Sequence, residues 1–552
     1  MKRGVRYGSV TAAMAVLLTT CVSSPAIGEG AFGGARSTSS AGRASNGATF
    51  VYAVPAMPAT LDYVPYTDPS RYVDTPLEST LVSYNPAKLP DRGCNGLAPL
   101  SDITGDLATS WTYSANRKTI TFHLGNAVSQ YGNPLTAADV KWSLDRTIAL
   151  SPVSQFNYFT TAHYRPKDTV TIVNSKTVQL HVEKPTALDV ANLTMFFSMI
   201  YDAAEAQKHA TPKDPWAQKW LSTHTDSFGP WEVSSFKPLQ SVTFVRNPYY
   251  TGKRGNITKL IIEAVPSAST RATLLKAGSV DWAADLSFNE YKGLEHASGV
   301  TVQQCDSPNR DDLVLNMAKD KRFANIRVRE AISLALNRKA IVQGAYFGFG
   351  KPAITGLSQY YQFKMPTNAA GRYRYDPQEA KKLLAEAGYP HGFSMSLLYS
   401  PTRPGPWSAQ SAVIVQSELQ QIGIDAVLKE EASGTTFSTD FRGGNFDAVM
   451  WEEPPLIADP YFSAVIFNFS KSFQNHFGFD SASYDALVTA TGLTAPGPRR
   501  QKLLTALAAA GVEQYPVIYL VDDVYLNAYR SNISGYEAYP SGDLYPSEYT
   551  KS

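Results

Sequence analysis

The chain has 552 residues, of which 43% are hydrophobic and 18% charged, and its formal net charge is +2. A chain of this length exceeds a single hydrophobic core, so two or three domains are expected. Because positive and negative charges are balanced and no polybasic run occurs, composition favours neither nucleic acid nor an acidic membrane surface as a partner. The 31 tyrosines suit polar organic ligands.

The N-terminal residues have the pattern of a secretory signal peptide. Lys2, Arg3 and Arg6 precede an apolar stretch at residues 10–22, which is shorter than the ~20 residues that a membrane span needs. Two processing sites are open. The sequence 18–21 resembles a bacterial lipobox in which Cys21 is lipidated, whereas 24–26 fits an ordinary signal peptidase and gives a leader of residues 1–26.

Residues 27–48 are almost wholly Gly, Ala, Ser, Thr and Arg. Such a segment cannot bury enough apolar surface to offset the entropy of ordering it. We therefore expect a flexible tether between the membrane and the first folded domain, or the N-terminal extension of a secreted protein.

Cysteine and histidine give little sign of a metal site. Besides Cys21 the chain has Cys94 and Cys305, and a disulfide between them is allowed outside the cytoplasm. No CxxC motif occurs, and the eight histidines are scattered. The sequence therefore predicts no metal and no cofactor.

The first folded elements are strands followed by a capped helix. Alternating apolar residues predict strand structure over 49–65 and a strand over Thr119–Leu124. Thr136 and Asp139 form a capping-box pattern, which predicts a helix that continues to about Ile148.

The second half has a β-α-β-α-β pattern. Asp376 caps a helix that begins at Pro377 and ends at Gly388. Predicted strands at 393–400, 424–429 and 446–451 then alternate with predicted helices at 407–422 and 437–442. Helix-linked strands form parallel sheets, and ligands bind beyond the carboxyl ends of such strands. The loops at 401–406, 430–435 and 452–460 are therefore candidate binding loops.

Sequence blocks along the chain resemble the family 5 extracellular solute-binding proteins, which are the oligopeptide, dipeptide and nickel receptors of ABC importers. The blocks occur in the family's order: Leu81–Pro86, Leu107–Trp111, Lys118–Leu124, Leu135–Arg146, Gly229–Trp231, Arg246–Tyr250, Val328–Arg338 and Tyr375–Tyr389. The resemblance covers nearly all of the chain after the tether.

This resemblance implies an α/β, two-lobed periplasmic-binding-protein-like fold of type II, in the large oligopeptide-binding class. Lobe I would comprise 49–85, 225–310 and 522–552, with an extra domain inserted at 86–224, and lobe II would comprise 311–521. The implied protein is a monomeric receptor that closes on its ligand and docks on a membrane permease. It would be exported, either to the outer face of the membrane through a lipid anchor or in soluble form.

Candidate ligand-binding residues follow from the same resemblance. Trp451 matches a family tryptophan that lies beside the ligand, with the alternative that it caps the core over the sheet. Peptide-binding members carry a carboxylate three residues later for the peptide α-amino group, but this chain has Pro454 there. Glu452, Glu453 or Asp459 are the available substitutes, each with the alternative of being an ordinary loop charge.

Two further contacts are expected. Tyr66, Thr67 and Asp68 fall where the family's first lobe presents its backbone to the ligand, although Asp68-Pro69 is also a common turn sequence. Arg403 lies in a proline-rich loop whose stiffness could hold the guanidinium toward a ligand carboxylate, with the alternative of an ordinary exposed arginine.

The rival class is a secreted hydrolase. No GxSxG, HExxH or P-loop spacing occurs. Glu452 and Glu453 are adjacent, so in a strand their side chains point to opposite faces and are poorly placed to flank one scissile bond. The sequence therefore predicts a receptor, not an enzyme, with an oligopeptide as the leading ligand and an oligosaccharide or metal chelate as the alternatives.

Overall fold

The computed structural model describes residues 47–62, 64, 71–77, 79–85, 97–361, 363–536 and 544–552. Several predictions fall outside these residues: the leader and Cys21, almost all of the tether, the contacts at Tyr66, Thr67 and Asp68, and Cys94. Within the described residues, no helix is both long and apolar enough to cross a membrane.

Strands and α-helices are numbered in chain order. The strands are β1 Ala48–Val54, β2 Val82–Tyr84, β3 Ile103–Gly105, β4 Ala108–Tyr113, β5 Thr119–Leu124, β6 Val170–Asn174, β7 Thr177–His181, β8 Trp231–Lys237, β9 Ser241–Arg246, β10 Ile257–Ala264, β11 Trp282–Ala283, β12 Val300–Leu315, β13 Lys351–Pro352, β14 Phe393–Tyr399, β15 Ile424–Glu430, β16 Ala448–Glu453, β17 Ile518–Arg530, β18 Ile533–Ser534 and β19 Thr550–Lys551.

The helices are α1 Arg71–Leu77, α2 Ala137–Leu150, α3 Pro152–Phe156, α4 Ala203–Ala206, α5 Gln218–Leu221, α6 Ala268–Ala277, α7 Phe288–Leu294, α8 Ile326–Ala335, α9 Arg338–Ala345, α10 Ala369–Arg372, α11 Pro377–Glu386, α12 Pro406–Gln420, α13 Gly434–Gly443, α14 Pro460–Ser463, α15 Ala482–Gly492 and α16 Pro498–Gln514. Short 3-10 segments and two π-helical segments, Asn157–Thr161 and Ala464–Asn468, complete the helical structure of the described residues.

One large sheet organises the described chain. Its strand order is β15-β14-β16-β12-β17-β11-β1-β10-β9-β8, and β13 pairs with β17 beside this path. The long strands β12 and β17 run antiparallel and join the half with β14–β16 to the half with β1 and β8–β11. Their register shifts between Asp306 and Arg310 and again between Asp311 and Asp312. The joint between the halves is therefore an interrupted ladder.

A second sheet of four strands, in the order β4-β5-β7-β6, lies within residues 108–181. The strand predicted at Thr119–Leu124 is confirmed as β5. The predicted capping box is also present at the start of α2. The Thr136 side chain accepts from the backbone N–H of Asp139, and the Asp139 side chain accepts from the backbone N–H of Thr136.

The β-α-β-α-β prediction is confirmed in the second half. β14 pairs in parallel with both β15 and β16, and α12 and α13 supply the connections. Asp376 caps α11 by accepting from the backbone N–H of Glu379, with Pro377 in the first turn. Apolar residues of these helices pack on the sheet, which places the core beneath the candidate loops.

The strand structure predicted for 49–65 is wrong beyond Val54, where β1 ends. Pro55 and Pro58 follow the strand, and proline cannot donate a ladder hydrogen bond. The alternation that suggested the strand is correct over its first part, since Phe50, Tyr52 and Val54 are buried.

Cys305 lies on β12 and is disulfide-bonded. Because Cys94 is outside the described residues, its pairing with Cys305 stays a prediction.

Candidate functional site

The candidate site lies at the carboxyl ends of β14 and β16. From β14 the chain continues to β15, which pairs with one edge of β14, and then returns to β16, which pairs with the other edge of β14. Such a reversal of strand order opens a crevice at the carboxyl ends of the strands, where α/β proteins bind ligands. The loop after β14 carries Arg403, and the end of β16 carries Trp451, Glu452 and Glu453. The sequence-predicted binding loops therefore meet there.

Trp451 forms an aromatic wall of this region. Its ring stacks on Phe441 of α13, with centroids 3.6 Å apart and planes at 5°, and on Phe437 at 5.9 Å. The residue is 6% exposed, and its indole Nε1–H has no hydrogen-bond partner in the described structure. Trp451 thus packs in the core and carries a buried indole N–H that has no partner in the described structure.

Arg403 brings a cation to the same place. Its guanidinium carbon lies 5.8 Å from the Trp451 ring centroid, within the range of cation–π attraction. A guanidinium nitrogen is 3.9 Å from a carboxylate oxygen of Glu452, and both side chains are about one quarter exposed. The loop is held by Ser400, whose Oγ accepts from the backbone N–H of Arg403.

Glu453 is committed to a buried ion network. It lies opposite Arg310 in the β12–β16 ladder, and the guanidinium donates to its carboxylate. Arg310 also donates through Nε to the two oxygens of Asp312, at 3.1 and 3.2 Å. Burial raises the pKa of Glu453, Arg310 lowers it, and the charge and hydrogen bond of Asp312 add to the rise. Its 3% exposure leaves Glu453 in a structural position.

Asp459 is also committed. Its two carboxylate oxygens accept from Arg500 at 2.9 and 2.7 Å, and its Oδ1 also accepts from the backbone N–H of Tyr461 at the start of α14. Asp459 and Arg500 are 4% and 6% exposed. This buried pair fixes the end of the 454–459 loop.

Glu452 has different surroundings. It lies directly opposite Asp311 in the ladder, so its side chain points to the face opposite that of Glu453, as the adjacent positions predict. Burial together with the charges of Asp523 and Glu452 raises the pKa of Asp311. Burial raises the pKa of Asp523 to about 7, and Glu452 contributes to that rise. The three carboxylates form an anionic cluster next to Arg403.

Tyr346 fixes the buried member of this cluster. Its hydroxyl donates to Asp311 at 2.8 Å, and its ring packs between Phe288 and Trp407 with centroids at 4.8 and 5.6 Å. Phe288 belongs to α7, which precedes β12, and Trp407 belongs to α12, which follows β14. Tyr346 therefore connects helices from the two halves of the large sheet to the anionic cluster.

Sequence reasoning missed Asp311, Asp523 and Tyr346. The available signal was the occurrence of two Asp-Asp pairs, 311–312 and 522–523, at the two predicted boundaries between lobe I and lobe II. Burying two adjacent acids in a strand costs free energy unless each finds a charge or hydrogen-bond partner, so such a pair indicates a structural or binding role.

A metal centre has no support in the described part of the chain. There, no group of three or more His, Cys, Asp or Glu side chains is placed to hold a metal ion.

Comparison with known sequences gives a match over most of the chain. The model of the bacterial extracellular solute-binding proteins, family 5 Middle, matches residues 102–475. The chain is 26% identical over 470 residues to heme-binding protein A of Haemophilus influenzae, covering 80% of this chain and 83% of that protein. It is 28% identical over 419 residues to the probable D,D-dipeptide-binding periplasmic protein DdpA of Escherichia coli, covering 74% of each.

The fold is similar to that of solved binding proteins. The periplasmic binding protein DppA of Helicobacter pylori, in complex with the peptide STSA, superposes with a TM-score of 0.78 at 22% identity. The match covers 91% of this chain and 98% of that one. The predicted α/β, two-lobed fold of type II is thereby confirmed.

Proposed function

The chain belongs to the bacterial extracellular solute-binding proteins of family 5, and we propose that it captures a short peptide for an ABC importer. The family is one of solute receptors and not of enzymes. Support for a peptide comes from the dipeptide named for the E. coli relative and the tetrapeptide bound by the H. pylori protein.

The observation that carries the proposal is the pairing of opposite charges at the β14–β16 crevice. Arg403 and Glu452 approach to 3.9 Å beside Trp451. A short peptide at neutral pH carries an ammonium group at one end and a carboxylate at the other. An arginine and a glutamate of this kind would each bind one end, with the aromatic wall covering the chain between them.

Glu452 is the acid that we propose for the peptide α-amino group. Of the three acids predicted from sequence, Glu453 is bound by Arg310 and Asp459 by Arg500, so neither carboxylate is available without breaking a buried ion pair. Glu452 adjoins Asp523, whose charge would add to the attraction for a cation. The anchor is thereby displaced from the position that Pro454 occupies.

Capture would proceed by closure of two lobes. We place lobe I at 49–85, 225–310 and 522–552, with the insert at 86–224, and lobe II at 311–521. Tyr66, Thr67 and Asp68 would contact the ligand from lobe I. Because ligand shifts the open–closed equilibrium only through contacts that differ between the two states, it must contact both lobes. The closed monomer would then dock on the permease.

Export follows from family membership, and we propose retention at the membrane through a lipid on Cys21. Metabolic labelling with an alkynyl fatty acid tests this, since Cys21→Ser abolishes lipid labelling of the protein if the lipobox is used. Persistent labelling of that variant would contradict lipidation at Cys21.

Calorimetric titration of the purified protein tests the ligand assignment. We expect saturable binding of Ala-Ala, and loss of binding both for N-acetylated Ala-Ala and for its C-terminal amide. Glu452→Gln should weaken Ala-Ala binding roughly 10- to 100-fold, the value of one charge-assisted hydrogen bond. Arg403→Gln should weaken binding of the free dipeptide by a similar factor.

Glu386→Gln is the matched control, because Glu386 is an exposed acid at the end of α11. Equal affinity for free and blocked dipeptides would show that the charged ends are not recognised. A thermal-shift panel that includes oligosaccharides and metal chelates addresses the alternatives, since a ligand at 100 times its Kd stabilises by ~2.7 kcal/mol.

A further inference from the structure

Two aromatic side chains from different parts of the fold contact each other. Phe156 is the last residue of α3, which directly follows α2, the helix that packs against β6 and β7 of the four-stranded sheet. Phe473 lies between β16 and α15, in the half of the chain that contains β14–β16. The two ring centroids are 5.0 Å apart with the ring planes at 60°, a tilted geometry that aromatic pairs favour. The ring pair therefore connects the region of the four-stranded sheet to the region of β14–β16.

A backbone hydrogen bond joins the same two regions. The N–H of Ala187, which follows β7, donates to the carbonyl oxygen of Gly492 at the end of α15, at 3.3 Å. Both contacts are weak, because this bond is longer than the usual range of about 2.7–3.2 Å and the two aromatic rings are only partly buried. They can therefore break without unfolding either region.

Each ring is positioned by hydrogen bonds within its own region. Ser151 caps α3 by accepting from a backbone N–H of the first turn, so the short helix that ends at Phe156 has a fixed start. On the other side, the Asn475 side-chain amide donates to the carbonyl oxygens of Ser470 and Phe479, which lie before and after the second ring in the chain. Because the rings are held in place before they meet, the contact costs little conformational entropy to form.

Each side of the contact carries a π-helical segment. Asn157–Thr161 begins directly after Phe156, and Ala464–Asn468 ends shortly before Phe473. π-Helical turns are rare, and they occur frequently at functional sites. Within the described residues, both segments flank one contact, which indicates that this contact has a role beyond packing.

The joint of the large sheet allows the two regions to separate. The half with β14–β16 is joined to the rest of the sheet by β12 and β17, whose ladder is interrupted at two places between Asp306 and Asp312. A rotation at that joint would move Phe473 away from Phe156 while both strands stay continuous. The contact would therefore open and close with the lobes.

We infer that the Phe156–Phe473 pair and the Ala187–Gly492 bond form a latch that holds the lobes closed before a ligand arrives. The inference rests on the lobe closure proposed above and not on the identity of the ligand. An aromatic pair contributes enough to change an equilibrium constant about 2- to 10-fold. The latch therefore sets the closed fraction of the ligand-free receptor, and the apparent affinity for a ligand follows that fraction.

Small-angle X-ray scattering of the ligand-free protein tests the latch, because an open receptor has a larger radius of gyration than a closed one. We expect a compact wild type and a larger radius of gyration for Phe473→Ala. Phe156→Ala should give the same increase, and the double variant should be no larger than either single variant, since one missing ring already breaks the pair. Phe473→Leu keeps most of the apolar volume, and therefore the fold, and should give a smaller increase in the same direction.

Tyr375→Ala is the matched control, because it removes an exposed ring ahead of α11 and leaves both rings of the latch in place. Its radius of gyration should equal that of the wild type. A lower Tm in Phe473→Ala with an unchanged radius of gyration would assign the rings to core packing and overturn the latch. A wild type already as extended as the variants would overturn it too.

Calorimetry with Ala-Ala separates the latch from the peptide proposal. Phe473→Ala and Phe156→Ala should weaken binding about 2- to 10-fold, in proportion to the lost closed fraction. Unchanged affinity in variants whose radius of gyration increases would overturn the role assigned to the latch. Failure of Ala-Ala to bind the wild type would bear on the peptide proposal alone, because the scattering measurement contains no ligand.

Discussion

Glu452 and Glu453 are adjacent on β16, yet their side chains enter two different regions of the molecule. On one face, Glu453 joins Arg310 and Asp312 in a buried ion network. On the other, Glu452 meets Asp311 and Asp523, and the nearby Arg403 is 3.9 Å away and partly exposed. A carboxylate on this strand is structural where the fold supplies a buried arginine, and suited to ligand binding where it does not.

The largest effect is expected from removing the arginine on the structural face. Arg310→Ala leaves Asp312 and Glu453 buried without a cation and should lower the free energy of unfolding by about 3–5 kcal/mol. Denaturant titration measures the loss. If Arg310→Ala were as stable as the wild type, the distinction between the two faces would fail.

A smaller loss is expected at Asp459, which belongs to the structural class although it lies in a candidate loop. Asp459→Asn retains an acceptor for the Tyr461 N–H but leaves Arg500 without its anionic partner, so we expect a loss of roughly 1–3 kcal/mol. Peptide affinity should be unchanged in the folded fraction. A large affinity loss with normal stability would instead move Asp459 to the binding class.

The pH dependence of stability should separate the faces next. The pKa of Asp523 is raised to about 7, so between the ordinary value near 4 and 7 the folded state binds more protons than the unfolded state. Stability due to this group is therefore present at low pH and is lost as pH rises through that window. Asp523→Asn should flatten the slope of unfolding free energy against pH, and an unchanged slope would contradict the assignment.

Peptide binding should respond to the same titration in the opposite sense. As pH rises through about 7, Asp523 ionises and strengthens the anionic cluster, so Ala-Ala affinity should increase. Calorimetry across this window measures the change. The increase should be absent in Asp523→Asn and present in Asp425→Asn, an exposed acid on β15.

The smallest effect is a gain. Glu452 and Asp311 are acids directly opposite in an antiparallel ladder, an arrangement that destabilises by about 0.2–1 kcal/mol where both are ionised. Glu452→Gln should therefore slightly stabilise the ligand-free protein while it weakens peptide binding. A loss of stability in this variant would place Glu452 among the structural acids.

Local patterns were sufficient to predict much of the fold. The capping box at Thr136 and the alternation of strands and helices over 393–451 depend on neighbours in sequence, and the structure confirms them. The strand prediction for 49–65 failed beyond Val54 for a reason that is also local in sequence. Pro55 and Pro58 follow Val54 and interrupt the strand that the alternation of apolar residues suggested.

The candidate site was less predictable because its distinctions are long-range. Whether Glu452 or Glu453 receives a buried arginine depends on the register of β16 against β12, where Arg310 is 143 residues from Glu453 in sequence. No periodicity encodes such a register. Trp451 could be named from sequence because it matches a family tryptophan, and Arg403 because it follows a strand whose end was predictable, but the roles of the acids depended on the assembled sheet.

The position of the anionic cluster has an evolutionary consequence. Asp311 and Asp523 lie on β12 and β17, the two strands that join the halves of the large sheet and whose ladder is interrupted there. A lineage that exchanged these acids to accept a different solute would alter the stiffness of the joint in the same step. Arg403 lies on a loop beside the joint, so its substitution leaves the stiffness of the joint unchanged. Selection for binding of a new solute should therefore act first on the loop and last on the strands.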